Sequence, residues 1–250
     1  MSTSANAKIV RALIGDFALD NLHEHRVDRA TFTIYVGGDP HREGDYEGNE
    51  GEPGVEHHMA DRLEMNLHVL SSIDPKRPIL IVMSTCGGEW EPGMQMYSAL
   101  LTCPNPITVI ATKHARSMSS LIPLAADRFL IRPPAQYMFH HGSMAYAGLA
   151  GEEATTVFNE LADTRDMMLR IYVERLKEQG KFHKQHPAKI RSMLEDKMRR
   201  KVDVFLTADE AVEWGFADGI VTGDIVRATK KNIKRRNGMM AGRRKPRNIN

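Results

Sequence analysis

The sequence predicts an α/β layered fold, on three observations. Short apolar runs of strand length alternate with stretches of helical apolar spacing, and the connections between them are mostly brief. The chain has 250 residues, 42% hydrophobic and 26% charged, which is enough for one large domain with a real core.

Taken in order, residues 6–22 read as helix, and "ATFTIYV" (30–36) is β-branched and aromatic enough for a strand. "GGDPHREGDYEGNEGEPGVE" (37–56) holds six glycines and seven acids and reads as a mobile surface loop. "HHMADRLEMNLHVLSSI" (57–73) has helical spacing through Met59, Leu63, Leu67 and Leu70, and Pro75 and Pro78 end it. "ILIVMS" (79–84) is a continuous apolar run, as in a strand covered on both faces. Residues 92–102 read as helix, 107–112 as strand, 117–126 as helix, and 128–131 and 135–140 as short strands. A long helix over 151–178, a second over 187–199 and a short one over 207–214 complete the pattern.

Composition narrows the class. No stretch approaches the roughly 20 apolar residues that span a bilayer. "MSTSANAKIVRALIGDFALDNL" lacks a basic leader, a long apolar core and a cleavage site, so a cytoplasmic setting without membrane contact is the expectation. Cys86 and Cys103 are the only cysteines, too few for a disulfide framework and without metal-binding spacing, and are expected as free thiols. The net charge of +2 hides an asymmetry: residues 227–250 carry ten Lys or Arg and no acid, so the rest of the chain is acidic. That tail is expected to be disordered in isolation, either as a solvated terminus or as an electrostatic contact for nucleic acid or an acidic partner.

Candidate chemistry sits where strands meet turns. "HARSMSSLIPLAADRF" (114–129) places Ser117, Ser119 and Ser120 at the head of an apolar helix, where hydroxyls commonly cap the helix. Gly87 and Gly88 follow a buried strand and could bring backbone N–H groups close to a ligand, although such a pair is more often just a turn. His140 and His141 end a strand, and alternation lets only one of them point toward Ser117. Asp203 precedes a short apolar run and a helix start at Thr207, where a structural cap or ion pair is the ordinary role.

Taken together, "MSTCGG", "RSMS", "MFHHG" and "VDVFLTADEAVEWGFAD" resemble the "INSPGG", "ASMG", "MIHQP" and "RDxFLSAxEAxExGLxD" segments of ClpP-like serine peptidases, the proteolytic subunits of Clp proteases. The likeness covers roughly residues 30–222, and its last segment is the most specific. It implies a crotonase-like spiral of strand-strand-helix units with an extended helical handle. In that spiral the peptidase domain occupies 30–226 and the handle 151–200, between an N-terminal extension (1–29) and the basic tail (227–250).

The resemblance also implies a serine endopeptidase acting on peptides and unfolded proteins. Its catalytic residues would be Ser117, His140 and Asp203, with an oxyanion hole of Gly88 and Met118 backbone N–H groups. Histidine titrates in the range that lets it take a serine proton at neutral pH, and the aspartate would hold its tautomer. No cofactor or metal is implied. Implied partners are copies of the same chain, stacked as heptameric rings, and an ATP-driven unfoldase of the AAA+ class. Val157, Leu161, Met168 and Ile171 on the handle are expected to need a partner surface.

Three departures stand out: Arg116 where the family has a small residue, Cys86 in place of a proline, and 63 residues from His140 to Asp203, which lengthen the handle. Two other classes stay open, a non-catalytic ring or capsid-associated scaffold subunit and a crotonase-type acyl-CoA enzyme.

Overall fold

Aliphatic and β-branched runs pair into one sheet. The computed structural model describes residues 19, 22–37, 54–142, 151–223 and 233–235. Its strands are β1 (Val27–Asp28), β2 (Thr33–Val36), β3 (Ile79–Thr85), β4 (Ile107–Arg116), β5 (Arg128–Ile131), β6 (Gln136–Phe139), β7 (Val204–Leu206), β8 (Gly219–Val221) and β9 (Ile233–Arg235). They run in the order β1-β2-β3-β4-β5-β8-β9, parallel from β2 to β8 and antiparallel at both ends, with β6 paired to β4 and β7 paired to β6. The helices are α1 (His57–Ile73), α2 (Trp90–Thr102), α3 (Met118–Leu121), α4 (Glu152–Glu178), α5 (Pro187–Lys201) and α6 (Ala208–Trp214).

Caps and breakers set the helix limits. Glu56 accepts hydrogen bonds from the His58 and Met59 amides at the start of α1. Thr207 and Glu210 form a reciprocal capping box at the start of α6. The helix expected over 117–126 is shorter: α3 ends at Leu121 and a 3₁₀ turn takes Ile122–Ala125. Pro123 is the reason, since it has no N–H to give to the carbonyl four residues back.

β4 positions everything that follows. Expected to end at residue 112, it continues to Arg116. Thr108–Ala111 pair with β5, and beyond Thr112 and Lys113, His114–Arg116 pair with β6. Backbone pairing continues through a polar stretch because the ladder is made by main-chain groups and not by side chains.

Ile79, Ile81 and Met83 of β3, Ile107, Val109 and Ala111 of β4, and Phe129 and Ile131 of β5 join Leu63, Leu67, Leu70, Met96 and Leu100 from α1 and α2 in the main core. The alternate residues Ile110, Leu130 and Val221 form a smaller cluster with Leu80. Fully burying one such side chain stabilises the fold by about 1.5–3 kcal/mol.

The handle is fastened by its C-terminal half. Tyr172 packs edge-on against Phe216, with centroids 5.6 Å apart. Arg175, 1% exposed, donates Nε–H to the Phe216 carbonyl and lies 3.0 Å from Asp218. Asp218 in turn accepts from the Phe129 amide of β5 at 2.7 Å. Met168 and Ile171 are therefore buried by the chain's own body and need no partner surface, which corrects the expectation for those two; Val157 and Leu161 are half-buried, and Phe158, 69% exposed, remains uncovered.

The expected boundaries also shift. Val27–Asp28 pair with β2, so the sheet begins inside the proposed N-terminal extension. Val55, 1% exposed, pairs with Gly88, so the end of the acidic loop belongs to the fold. Ile233–Arg235, within the basic tail, pair with β8. An open sheet edge recruits backbone whatever its charge, which a reading by composition does not register. Of the helix expected over 6–22, only Leu19 and Leu22 are described, both helical; residues 38–53 and most of the tail lie outside the described residues. Among the described residues no helix is long and apolar enough to cross a membrane, and neither Cys86 nor Cys103 forms a disulfide.

Because β9 pairs with β8, ending the chain at Val226 is expected to lower stability by about 1–3 kcal/mol, the net worth of a few ladder bonds, whereas ending it at Arg236 is not. Thermal melts of the two truncations against the full chain decide this, and equal midpoints would remove β9 from the fold.

Candidate active site

The ladder between β4 and β6 runs one residue past the last strand position. Ser117 donates its N–H to the Met138 carbonyl at 3.0 Å, then turns sharply at φ 52° and ψ −127°. Such a conformation in a residue bearing a Cβ costs about 1–3 kcal/mol and persists only where its surroundings impose it. Although Ser117 precedes α3, its side chain makes no capping bond. The hydroxyl instead lies 2.8 Å from His140 Nε2.

His140 and Asp203 reach this point from one antiparallel pair. Phe139 opposes Val204 and Met138 opposes Phe205, so His140 follows β6 and Asp203 precedes β7 at the same end of the ladder. The Nδ1 of His140 is 3.0 Å from Asp203 Oδ1. A carboxylate only accepts, so Nδ1 carries the proton toward Asp203 and Nε2 is left to accept from the Ser117 hydroxyl. The imidazole is largely covered, at 19% exposed, and the carboxylate is 44% exposed.

His141 faces elsewhere. It lines a cavity of about 850 Å³ with Lys189, Ser192, Met193 and Asp196 of α5, and its Nδ1 is buried with no hydrogen-bond partner among the described residues. Burial, followed by the nearby Arg165 charge, lowers its pKa below the ordinary 6.5, so it stays neutral more readily than a free histidine.

The glycine turn lies directly against the serine. A Cβ on Gly87 (φ 110°) would sit 2.5 Å from Ser117 Cβ and 3.1 Å from the Met118 nitrogen. A Cβ on Gly88 (φ 147°) would collide with the Val55 carbonyl oxygen. Val55 clasps the turn, donating to the Gly87 carbonyl and accepting from the Glu89 amide. Met118 opens α3, and a first helical N–H has no partner within its own helix. Gly87 and the Met118 nitrogen thus lie against Ser117, and backbone amides beside a serine can stabilise a developing oxyanion.

The other serines have structural partners. Ser119 Oγ donates to the Thr85 carbonyl at 2.8 Å, and Ser120 Oγ to the Ser117 carbonyl at 2.6 Å. Arg116 is held by Gln136 at 2.8 Å and lies over the Phe205 ring at 5.4 Å. Sequence reasoning missed the Val55 clasp, signalled only by one β-branched residue at the end of an acidic, glycine-rich run. It also missed Gly93, where a Cβ would meet Met118 Cγ and which therefore lets α2 approach α3.

The sequence model of the Clp protease family matches residues 52–224. The chain is 27% identical over 175 residues to the ATP-dependent Clp protease proteolytic subunit 1 of Chlamydia muridarum, covering 68% of this chain and 83% of that one. It is 26% identical over 169 residues to the ATP-dependent Clp protease proteolytic subunit of Deinococcus radiodurans, covering 67% and 76%. Against subunit 1 of Protochlamydia amoebophila the identity is 27% over 172 residues, covering 67% and 76%.

Gly88→Ala combines an unfavourable φ with a collision against Val55 and is expected to destabilise the chain by about 2–4 kcal/mol. Denaturant unfolding measures it; a loss below about 0.5 kcal/mol, the range of ordinary surface changes, would mean that Val55 does not clasp the turn.

Proposed function

The chain belongs to the Clp protease family, and from that premise we propose that it is a serine endopeptidase in which Ser117 is the nucleophile, His140 the general base and Asp203 the group that orients the base. The observation that carries this is the unbroken line of hydrogen bonds, 2.8 Å and 3.0 Å, joining a serine hydroxyl that caps nothing to a histidine whose far nitrogen is already engaged.

The chemistry follows from the geometry. Ser117 Oγ attacks the scissile carbonyl carbon while its proton passes to His140 Nε2, and Asp203 stabilises the imidazolium that forms. The Gly88 and Met118 N–H groups take the oxyanion, a contribution of about 2.7–4 kcal/mol for each such donor. His140 returns the proton to the leaving amine, and water, activated by the same histidine, releases the acyl group. Each step uses side chains and backbone of this chain. His141, turned toward α5, is not the base.

Substrates of this reading are peptides and unfolded polypeptides. The relatives are named as ATP-dependent proteolytic subunits, which supports an ATP-driven unfoldase as partner for folded substrates. Self-association into rings around a chamber, stacked in pairs of seven subunits, is proposed with it; exposed Phe158 on the outer half of α4 is a contact such packing would use.

A fluorophosphonate probe is expected to label wild-type protein at Ser117, and Ser117→Ala to abolish labelling and peptide hydrolysis without altering assembly. Labelling that persists, or moves to Ser119, would overturn the nucleophile. A chain that forms rings yet takes up no probe is a non-catalytic ring subunit. His140→Ala and Asp203→Asn should each cost orders of magnitude in hydrolysis, and His141→Ala far less; the reverse order would mean that the wrong histidine has been assigned.

The assembly is expected to scatter light as a large ring and not as a 28.1 kDa monomer. A monomer at micromolar concentration would remove the chamber.

A further inference from the structure

Ser117 is also held through its own carbonyl, by groups closed to solvent. Ser120 donates to that oxygen twice, from its N–H at 2.9 Å and its Oγ at 2.6 Å. The same Oγ lies 2.6 Å from the Tyr172 hydroxyl. A carbonyl only accepts, so the single Ser120 hydroxyl proton points at Ser117 and the proton of the second bond comes from Tyr172. The direction of the relay is thereby set: Tyr172 O–H to Ser120 Oγ, and Ser120 O–H to the Ser117 carbonyl. Tyr137 donates to the Ser120 carbonyl at 2.9 Å and steadies the middle member.

Ser120 is 0% exposed and Tyr172 1%, and burial keeps the Tyr172 hydroxyl protonated far above its ordinary range, so the donor is present at any working pH. In a buried, low-dielectric site such bonds reinforce one another. Tyr172 also packs its ring on Phe139, the residue before His140, with centroids 5.7 Å apart. One side chain of the handle therefore touches both arms of the site, the nucleophile through Ser120 and the base through Phe139. Arg175, one turn further along α4, locks that stretch of helix to Phe216 and Asp218.

We infer that Tyr172, acting through Ser120, is a positioning residue that holds Ser117 in its strained turn with Oγ aimed at His140. This rests on the reading of Ser117 as the nucleophile. A serine that merely satisfied its own helix would hold the fold without setting the reaction rate. A relay that aims the nucleophile acts on acylation and leaves substrate binding alone.

The test is the rate of fluorophosphonate acylation, together with kcat and KM for a fluorogenic peptide, on assembled full-length protein. Wild type is compared with Tyr172→Phe, Ser120→Ala and the double variant, each first checked for assembly and melting temperature. Each single variant is expected to acylate about three- to tenfold more slowly, the worth of one or two net hydrogen bonds, with kcat falling in step and KM unchanged. The double variant is expected to be no slower than the slower single one, because both changes break the same relay.

Assembled single variants that react at the wild-type rate, or losses that multiply in the double variant, would overturn the relay while leaving Ser117 as nucleophile. Should Tyr172→Phe fail to assemble, Ser120→Ala, which removes one buried oxygen, decides alone. A wild-type chain that takes up no probe overturns the nucleophile and the relay with it.

Discussion

The backbone bond from Ser117 N–H to the Met138 carbonyl sets where the serine hydroxyl can go. It extends the β4–β6 ladder by one residue and makes the chain reverse at once into α3, leaving Ser117 at a positive φ. Had the ladder ended at Arg116, the hydroxyl would be free to cap the helix in the ordinary way. Because it does not end there, His140, two residues beyond Met138 on the same face of β6, comes within hydrogen-bond reach of Ser117. Asp203 comes into reach because β7 is antiparallel to β6.

What keeps that ladder in place lies outside the site. Tyr137 and Phe139 of β6 turn their rings into an aromatic cluster with Tyr172, Trp214 and Phe216. The buried Arg175–Asp218 pair, itself bonded to the Phe216 carbonyl and the Phe129 amide, ties α4 to β5 and to the approach to β8. Taking such charges out of water is expensive and is offset only where their remaining donors and acceptors are met. Asp218 meets that condition through the Phe129 amide and the Gln179 side chain. The handle is thus a brace behind the site as well as a projection from the body.

The fold class and most element positions were legible because each rests on local periodicity. Helix 57–73 and strand 128–131 stand at their expected limits, and the helix expected over 187–199 continues to Lys201. The missed strands share one cause. β1, β7, β8 and β9 are two or three residues long, too short for any alternation to register, and they exist because a neighbouring strand offers a ladder. The handle residues Met168 and Ile171 carried a correct apolar signal, but periodicity says that a face is buried and never against what.

The sequence by itself determined the residue types and their order: a serine before a short apolar helix, a histidine at a strand end, an aspartate 63 residues later, glycines after a buried strand, and through them the resemblance to one family. That resemblance pointed to Ser117, but only the tertiary structure decided the partner of each serine hydroxyl: Ser119 and Ser120 are bonded to the Thr85 and Ser117 carbonyls, while Ser117 alone faces a histidine. The physical reason is that a hydroxyl's partner is set by the direction in which its backbone leaves the preceding strand. That direction comes from pairing with β6, a segment about twenty residues further along the chain, which no local pattern contains.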